Sequence, residues 1–340
     1  MFEDFQESAA GLNYMEGTLV RDGMRDILDR EWPHMAEIVR LWKRNEIDHL
    51  YLVGCGGSYA TMVPLKWLTD RFSTLPVDVY SGWEFINRQP ACLGKRSAVV
   101  VASHSGTTEE VLLAAEIAHR QGAFTLAFTT TAAELEGQVQ DALTYKSPAA
   151  NLSKLLMSYL VAFEVINQRD QNPAVQPLRA ALQSLPDTLH SVIQDTRQLG
   201  QQLAEQYRDV EQMYVIGTGL LAGLAYQFTI CNLMEMHWIH AATINAAEFR
   251  HGPYEIVDKG LPIIFLLGRG PERAVTQRAL DFSRRFGADA IVFDLNDMPQ
   301  VHDWCAPFGL HLPLQWFNWY LGIARNHPIS TRRYMGKVDY

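Results

Sequence analysis

Four hydroxyls crowd the segment Ser103-His104-Ser105-Gly106-Thr107-Thr108, which follows directly on the unbroken apolar run 98–102. Hydroxyls at the end of a strand that reads as fully buried are costly without partners. They are loop filler, helix caps, or donors for a ligand rich in acceptor oxygens. A second loop of similar chemistry, Gly54-Cys55-Gly56-Gly57-Ser58, follows the apolar run 49–53. Gly56 and Gly57 let the backbone approach a ligand closely, while Ser58, Ser103, Ser105 and Thr108 can donate hydroxyls. Each loop opens a helix, whose first turn offers unpaired N–H groups and a positive dipole end. Neither loop fits the GxGxxG or GxxxxGK[ST] pattern, so dinucleotide or nucleoside triphosphate binding is not indicated. Capping alone accounts for any one such loop. Two of them beyond the carboxyl ends of strands, where open α/β sheets bind ligands, favour a phosphate site.

Acid–base candidates lie elsewhere, in residues 233–255. Glu235 sits among Leu233, Met234, Met236 and Trp238 on a mostly apolar helix. A carboxylate in apolar surroundings is poised as a proton shuttle; the alternative is a glutamate on that helix's exposed face. His251 precedes Gly252-Pro253, which cannot continue a helix, so its imidazole belongs to a turn. Histidine titrates near neutral pH, and an acid–base partnership with Glu235 stands beside a purely structural role. His237 and His240 offer an HxxH pair, but no HExxH motif or cysteine pair supports a metal site. None is expected.

These residues need elements to hold them. Residues 49–53, 77–80, 98–102 and 124–128 read as strands, with helices over 58–72 and 108–121, the latter stopped by Gly122. The second half repeats the order: strands at 212–216, 262–268 and 288–294, a helix reaching about Ile239, and another over 271–286 stopped by Gly287. Strands separated by helices of this length imply βαβ units and a mostly parallel sheet. The spacing repeats too. Gly54 lies 30 positions before Glu84 and Gly217 lies 31 before Glu248, while Glu84 to Ser103 and Glu248 to Leu267 are both 19. An internal duplication is therefore expected, giving an α/β fold of two tandem doubly wound subdomains, mostly parallel sheets flanked by helices. The expected layout is an N-terminal helical segment (1–34), a first subdomain with the phosphate loops (35–168), connecting helices (169–199), a second subdomain with Glu235 and His251 (200–325), and a C-terminal tail (326–340). The matching loops of the second half, Gly217–Gly223 and Gly268–Glu272, have lost most hydroxyls, so one half carries the phosphate. Arg269 could bind an anion but reads better as a solvent-facing charge, and the basic residues Arg332, Arg333 and Lys337 as a polar tail that could fold back over an anion.

Composition narrows the class. A 340-residue chain with 48% hydrophobic and 20% charged residues is globular, and a net charge of −9 argues against a nucleic-acid surface. The four cysteines form no CxxC pair, so neither a zinc knuckle nor a disulfide framework is suggested. No apolar run approaches the roughly 18 residues of a membrane span, and the acidic N-terminus lacks the features of a signal peptide. A cytoplasmic location is expected, with no membrane contact.

Taken together, "GCGGSYA", "SHSGTTEE", "SGWEFIN", "MEMHWIH", "EFRHGP" and "TRRYMGKVDY" resemble the sugar isomerase (SIS) family over nearly the whole chain. The resemblance is strongest to the bacterial fructosamine-6-phosphate deglycases, and extends to the isomerase domain of glucosamine-6-phosphate synthase. It implies that Ser58, Ser103, Ser105 and Thr108 hold a sugar phosphate, with Gly56, Gly57 and His104 in the same loops. It makes Glu235 the general base and His251 its partner, and Lys337 resembles the C-terminal lysine that the synthase places near its sugar. His104 replaces a polar residue of the synthase loop. The resemblance further implies a homodimer or higher homo-oligomer with shared sites, the histidine-bearing turn coming from the neighbour. No cofactor is implied. About fifty residues precede the first strand and the chain starts Met1-Phe2-Glu3, so neither a glutaminase with an N-terminal cysteine nor a helix-turn-helix domain is expected. The implied activity is cleavage of a 6-phosphorylated fructosamine to glucose 6-phosphate and an amino acid. An aldose–ketose isomerase and a non-catalytic sugar-phosphate sensor are the alternatives.

Overall fold

The computed structural model describes residues 8–339; the first seven positions of the expected N-terminal segment and the last of the tail lie outside the described residues. The chain divides into two compact units, Leu19–Pro186 and a second that joins the chain up to Thr18 with Asp187 onward.

In the first unit β1 (His49–Gly54), β2 (Val77–Tyr80), β3 (Ser97–Ala102), β4 (Phe124–Thr129) and β5 (Asp141–Thr144) form one parallel sheet in the order β2-β1-β3-β4-β5. In the second, β6 (Gln212–Ile216), β7 (His240–Ile244), β8 (Pro262–Leu267) and β9 (Asp289–Asp294) form a parallel sheet in the order β7-β6-β8-β9. The second order reproduces the first four strands of the first, position by position. That is the duplication anticipated from the spacings, with β5 as an addition.

The central strands read as apolar runs because parallel sheets are covered on both faces. Every residue of β3 is buried, as are all but the first of β1 and β8. On one face of the first sheet Val53, Val99 and Val101 pack with Phe85 and Ala114, and on the second sheet Ile216, Phe265 and Leu267 pack with Phe249 and Leu280.

The α-helices are, in chain order, α1 (Gly17–Asp26), α2 (Trp32–Arg44), α3 (Gly57–Phe72), α4 (Gly82–Arg88), α5 (Glu109–Arg120), α6 (Ala150–Glu164), α7 (Gln176–Gln206), α8 (Ala222–Gln227), α9 (Arg273–Arg285) and α10 (Ala306–Ala324). Helix α5 starts with Glu109 and Glu110 and ends with His119 and Arg120, charges that complement the helix dipole. Helix α10 is largely apolar and almost wholly buried, with His311, Gln315 and Asn318 buried among its apolar residues. Among the described residues no helix is long and apolar enough to cross a membrane.

Candidate functional site

β1 and β3 are neighbours, with Gly54 in register with Ala102. Their C-terminal loops therefore emerge side by side. β2 lies on the far side of β1 and β4 on the far side of β3, so strand order reverses between them. Such a reversal opens a crevice beyond the strand ends in doubly wound sheets.

At the first loop Gly56 adopts φ 54° and ψ −124°, a conformation that favours glycine, and turns the chain into α3. A Cβ at Gly57 would lie 2.9 Å from Asn151 Oδ1, so the loop is pressed against the first turn of α6. One turn further along α6, the Lys154 Nζ donates to Ser58 Oγ at 2.8 Å, and both residues are buried.

At the second loop Ser103 is buried, accepts the Gly106 N–H at 3.1 Å, and lies 2.9 Å from Thr108 Oγ1. Ser105 Oγ accepts the Thr107 N–H and pairs with Thr107 Oγ1 at 2.7 Å. Thr108 occupies the N-cap of α5 yet makes no side-chain cap, and Gly56 stands at the N-cap of α3. The capping explanation fails at both helices: the hydroxyls pair with one another and with Lys154.

His104 presents its ring at the surface, with Nδ1 2.9 Å from the Tyr145 hydroxyl. Burial, and then the Lys154 charge, hold its pKa below the ordinary range; burial pushes the Tyr145 phenol up. A phenol that keeps its proton can donate to Nδ1, and in that tautomer Nε2 carries the N–H of a neutral imidazole.

In the second unit Glu235 lies in a wide helical stretch, Phe228–Met236, that continues α8. The chain leaves it at Trp238, whose φ of 58° ends the helix before β7 begins. Glu235 is neither enclosed by apolar side chains nor fully solvated. Its side chain is 27% exposed and Oε1 is 2.6 Å from the Arg332 guanidinium. Arg332 also donates to the Ile329 and Thr331 carbonyls, Arg333 stacks over Trp238 with its guanidinium carbon 4.3 Å from the ring centre, and Lys337 Nζ donates to the Arg332 carbonyl at 2.5 Å. The tail is docked on the Glu235 helix through its two arginines.

His251 is exposed on its turn, its N–H bonded to the Glu248 carbonyl at 2.9 Å. No hydrogen bond among the described residues joins it to Glu235. The HxxH pair is split: His237 is buried against Asn318, 3.0 Å from its Oδ1, whereas His240 opens β7 on the surface. Burial pushes the His237 pKa down to about 4.

Three outcomes were not read from the sequence. Lys154 was missed, although a lone lysine in the apolar run 152–163 was the signal. Arg332 as partner of Glu235 had no local signal. Arg269 is not solvent-facing: it donates to Asp303 Oδ1 at 2.6 Å, to the Leu295 carbonyl at 2.7 Å, and to the Val301 carbonyl.

The SIS domain matches residues 45–168 and 206–302. Fructoselysine 6-phosphate deglycase of Escherichia coli (strain K12) is 35% identical over 317 residues, covering 92% of this chain and 93% of that protein. Fructosamine deglycase FrlB of Bacillus subtilis (strain 168) is 36% identical, covering 88% and 94%. The crystal structure of a Bacillus subtilis protein classed as a phosphosugar isomerase superposes with a TM-score of 0.82 at 34% identity, covering 88% of this chain and 96% of that one.

Proposed function

The chain belongs to the SIS-domain family, and on that premise we infer that it is a deglycase, splitting a 6-phosphorylated fructosamine into glucose 6-phosphate and a free amino acid. The observation that carries this reading is the end-to-end match to fructoselysine 6-phosphate deglycase, 35% identical across 92% of the chain.

The substrate bears a secondary amine on C1 beside the C2 carbonyl. Glu235 removes a C1 proton to give an enaminol, and the proton returns at C2. The double bond now lies between C1 and nitrogen; water adds at C1, the C1–N bond breaks, and the amine departs. The net reaction is a hydrolysis. Glu235 must exchange Arg332 for the C1 hydrogen, so the tail that holds the carboxylate also governs its release. His251 assists ring opening and proton movement at the C2 oxygen, within the usual scope of general acid–base catalysis. Lys337 lies on the same tail and faces the sugar.

The hydroxyls of Ser58, Ser103, Ser105 and Thr108, with the backbone at Gly56 and Gly57 and the Nε2–H of His104, hold the phosphate. A remote anchor of this kind holds the substrate equally before and during a reaction elsewhere on it, and so sets KM. The protein acts in the cytoplasm as a homo-oligomer in which a neighbour supplies the His251 turn; the exposure of His251 on its turn supports the shared site.

Glu235→Gln should lower kcat by about 10²- to 10⁴-fold while sugar-phosphate binding persists. Full activity in that variant refutes the assignment of the base. The purified protein should release lysine from fructoselysine 6-phosphate. Ketose–aldose exchange on fructose 6-phosphate without amine release would make it an isomerase, and binding without turnover a sensor. Mixing inactive Glu235→Gln and His251→Asn proteins should restore activity if sites are shared; no recovery rules the shared site out.

A further inference from the structure

We propose that Lys154 is a phosphate-positioning residue, a buried ammonium that acts through the Ser58 hydroxyl to hold the substrate's dianion at the first loop. The proposal rests on the deglycase reading only in naming the phosphate as that of a fructosamine.

The geometry is built from one face of α6. Asn151 and Lys154 lie three positions apart and so point to the same side of the helix. The first packs on Gly57 and the second reaches Ser58. Lys154 is 3% exposed, in a stretch that otherwise runs through Leu152, Leu155, Leu156 and Met157. Burying an ammonium is costly, and a methionine would fill similar space without that cost. Keeping the cation asks for a role beyond packing.

The hydrogen bond to Ser58 supplies one. A hydroxyl has two acceptor positions and a single donor proton. When the ammonium occupies an acceptor position, the proton of Ser58 is directed away from Lys154 and is polarised toward an anion. The charge also reaches the second loop. The Lys154 ammonium helps to disfavour protonation of His104, which leaves that loop with neutral donors. One buried cation thus serves two hydroxyl loops, and bonds from such donors to a phosphate oxygen are charge-assisted and strong.

Lys154→Met, Ser58→Ala and the double variant test this, with inorganic phosphate as the binding probe in calorimetry and fructoselysine 6-phosphate in kinetics. Lys154→Met should bind phosphate about 10- to 100-fold more weakly, with KM for the phosphorylated substrate rising by a similar factor. A remote anchor contributes equally to ground and transition states, so kcat should change far less than KM. Because Lys154 acts through Ser58, the double variant should lose no more than the worse single variant. Should Lys154→Met fail to fold, Lys154→Gln keeps a donor without the charge and is expected to show the same losses. Unchanged phosphate affinity in a folded Lys154 variant overturns the proposal, as do losses at the two positions that add independently. If the wild-type protein releases no amine while phosphate binding still depends on Lys154, the deglycase reading fails and this inference stands. If amine is released and phosphate binding ignores Lys154, the reverse holds.

Discussion

After β3 the chain places Ser103, Ser105, Thr107 and Thr108, whose hydroxyls bond one another and the loop's own N–H groups. After β8, at the matching end of the duplicated unit, it places Arg269, which donates to Asp303 and to the carbonyls of Leu295, Met298 and Val301. The first loops differ in the same sense: Ser58 receives a bond from Lys154, while Thr218 donates to Asn245 Oδ1 at 2.6 Å. Neutral hydroxyl pairs can change partners at little cost, because each bond given up is replaced by a stronger one to an anion. A guanidinium shared among a carboxylate and three carbonyls cannot turn to a ligand without stripping those groups of their donor. Duplication gave two loops at equivalent positions; one remains receptive and the other has become a strut.

The largest expected difference between the units is their response to acid. The second unit buries His237 and His311, and burial pushes both pKa values down to about 4. The unfolded chain takes up these protons near pH 6.5, whereas the folded chain does so only near pH 4. The unfolded state therefore holds more protons in between, and stability falls as pH drops through that window. The loss is about 3 kcal/mol per histidine at its fullest. Urea unfolding at pH 7.5, 6 and 5 should show the decline, and His311→Leu should remove about half of it. Stability that is flat from pH 7.5 to 5 in the parent protein breaks this part of the comparison.

The interior strands were legible in both units. They are apolar runs: the anticipated ranges 49–53, 98–102 and 124–128 fall within β1, β3 and β4, 212–216 coincides with β6, and 262–268 overruns β8 by one residue. Of the edge strands, β2 at 77–80 and β9 at 288–294 were read as well, whereas β5 and β7 were harder. β7 reads His-Ala-Ala-Thr-Ile with only Ile244 buried, and β5 reads Asp-Ala-Leu-Thr with only Leu143 buried. Neither carries an apolar run or a clean alternation, so pairing with β6 and β4 defines them. The missed partners of the site have a common cause. Lys154 with Ser58 and Arg332 with Glu235 are separated by 96 and 97 positions, and no local pattern encodes such contacts. The hydroxyl loops announced themselves because their donors are consecutive. Arg269 was misread because its acceptors come from a segment more than 25 residues away.

A crossed pair of substitutions tests the contrast between receptive loop and strut. Ser103→Ala should raise KM for the phosphorylated substrate by about tenfold, with a modest fall in stability from the Gly106 N–H left without its acceptor. Arg269→Met should lower stability by about 2–3 kcal/mol, because several carbonyls lose a donor, while KM stays at the parent value. Thermal unfolding and steady-state kinetics on both variants decide the matter. A shift in KM for Arg269→Met, or none for Ser103→Ala, would erase the distinction.

The smallest effects belong to the Glu-Phe turns that follow the edge strands β2 and β7. In the first unit Ser81 and Glu84 form a capping box at the start of α4, with Ser81 Oγ accepting the Glu84 N–H and the Glu84 carboxylate accepting the Ser81 N–H, both at 3.4 Å. In the second, Asn245 Oδ1 accepts the Ala247 N–H at 3.0 Å and also the Thr218 hydroxyl at 2.6 Å. The first cap closes only its own helix; the second ties a turn to the glycine loop after β6. Ser81→Ala should therefore cost about 0.5–1 kcal/mol, the usual worth of an N-cap. Asn245→Ala breaks the cap and leaves the hydroxyl of the buried Thr218 without its acceptor, so about 1–2 kcal/mol more is expected. Denaturant midpoints of the two variants give the ranking directly. Equal costs would mean that the Thr218–Asn245 bond adds nothing, and that the second glycine loop is held by its backbone alone.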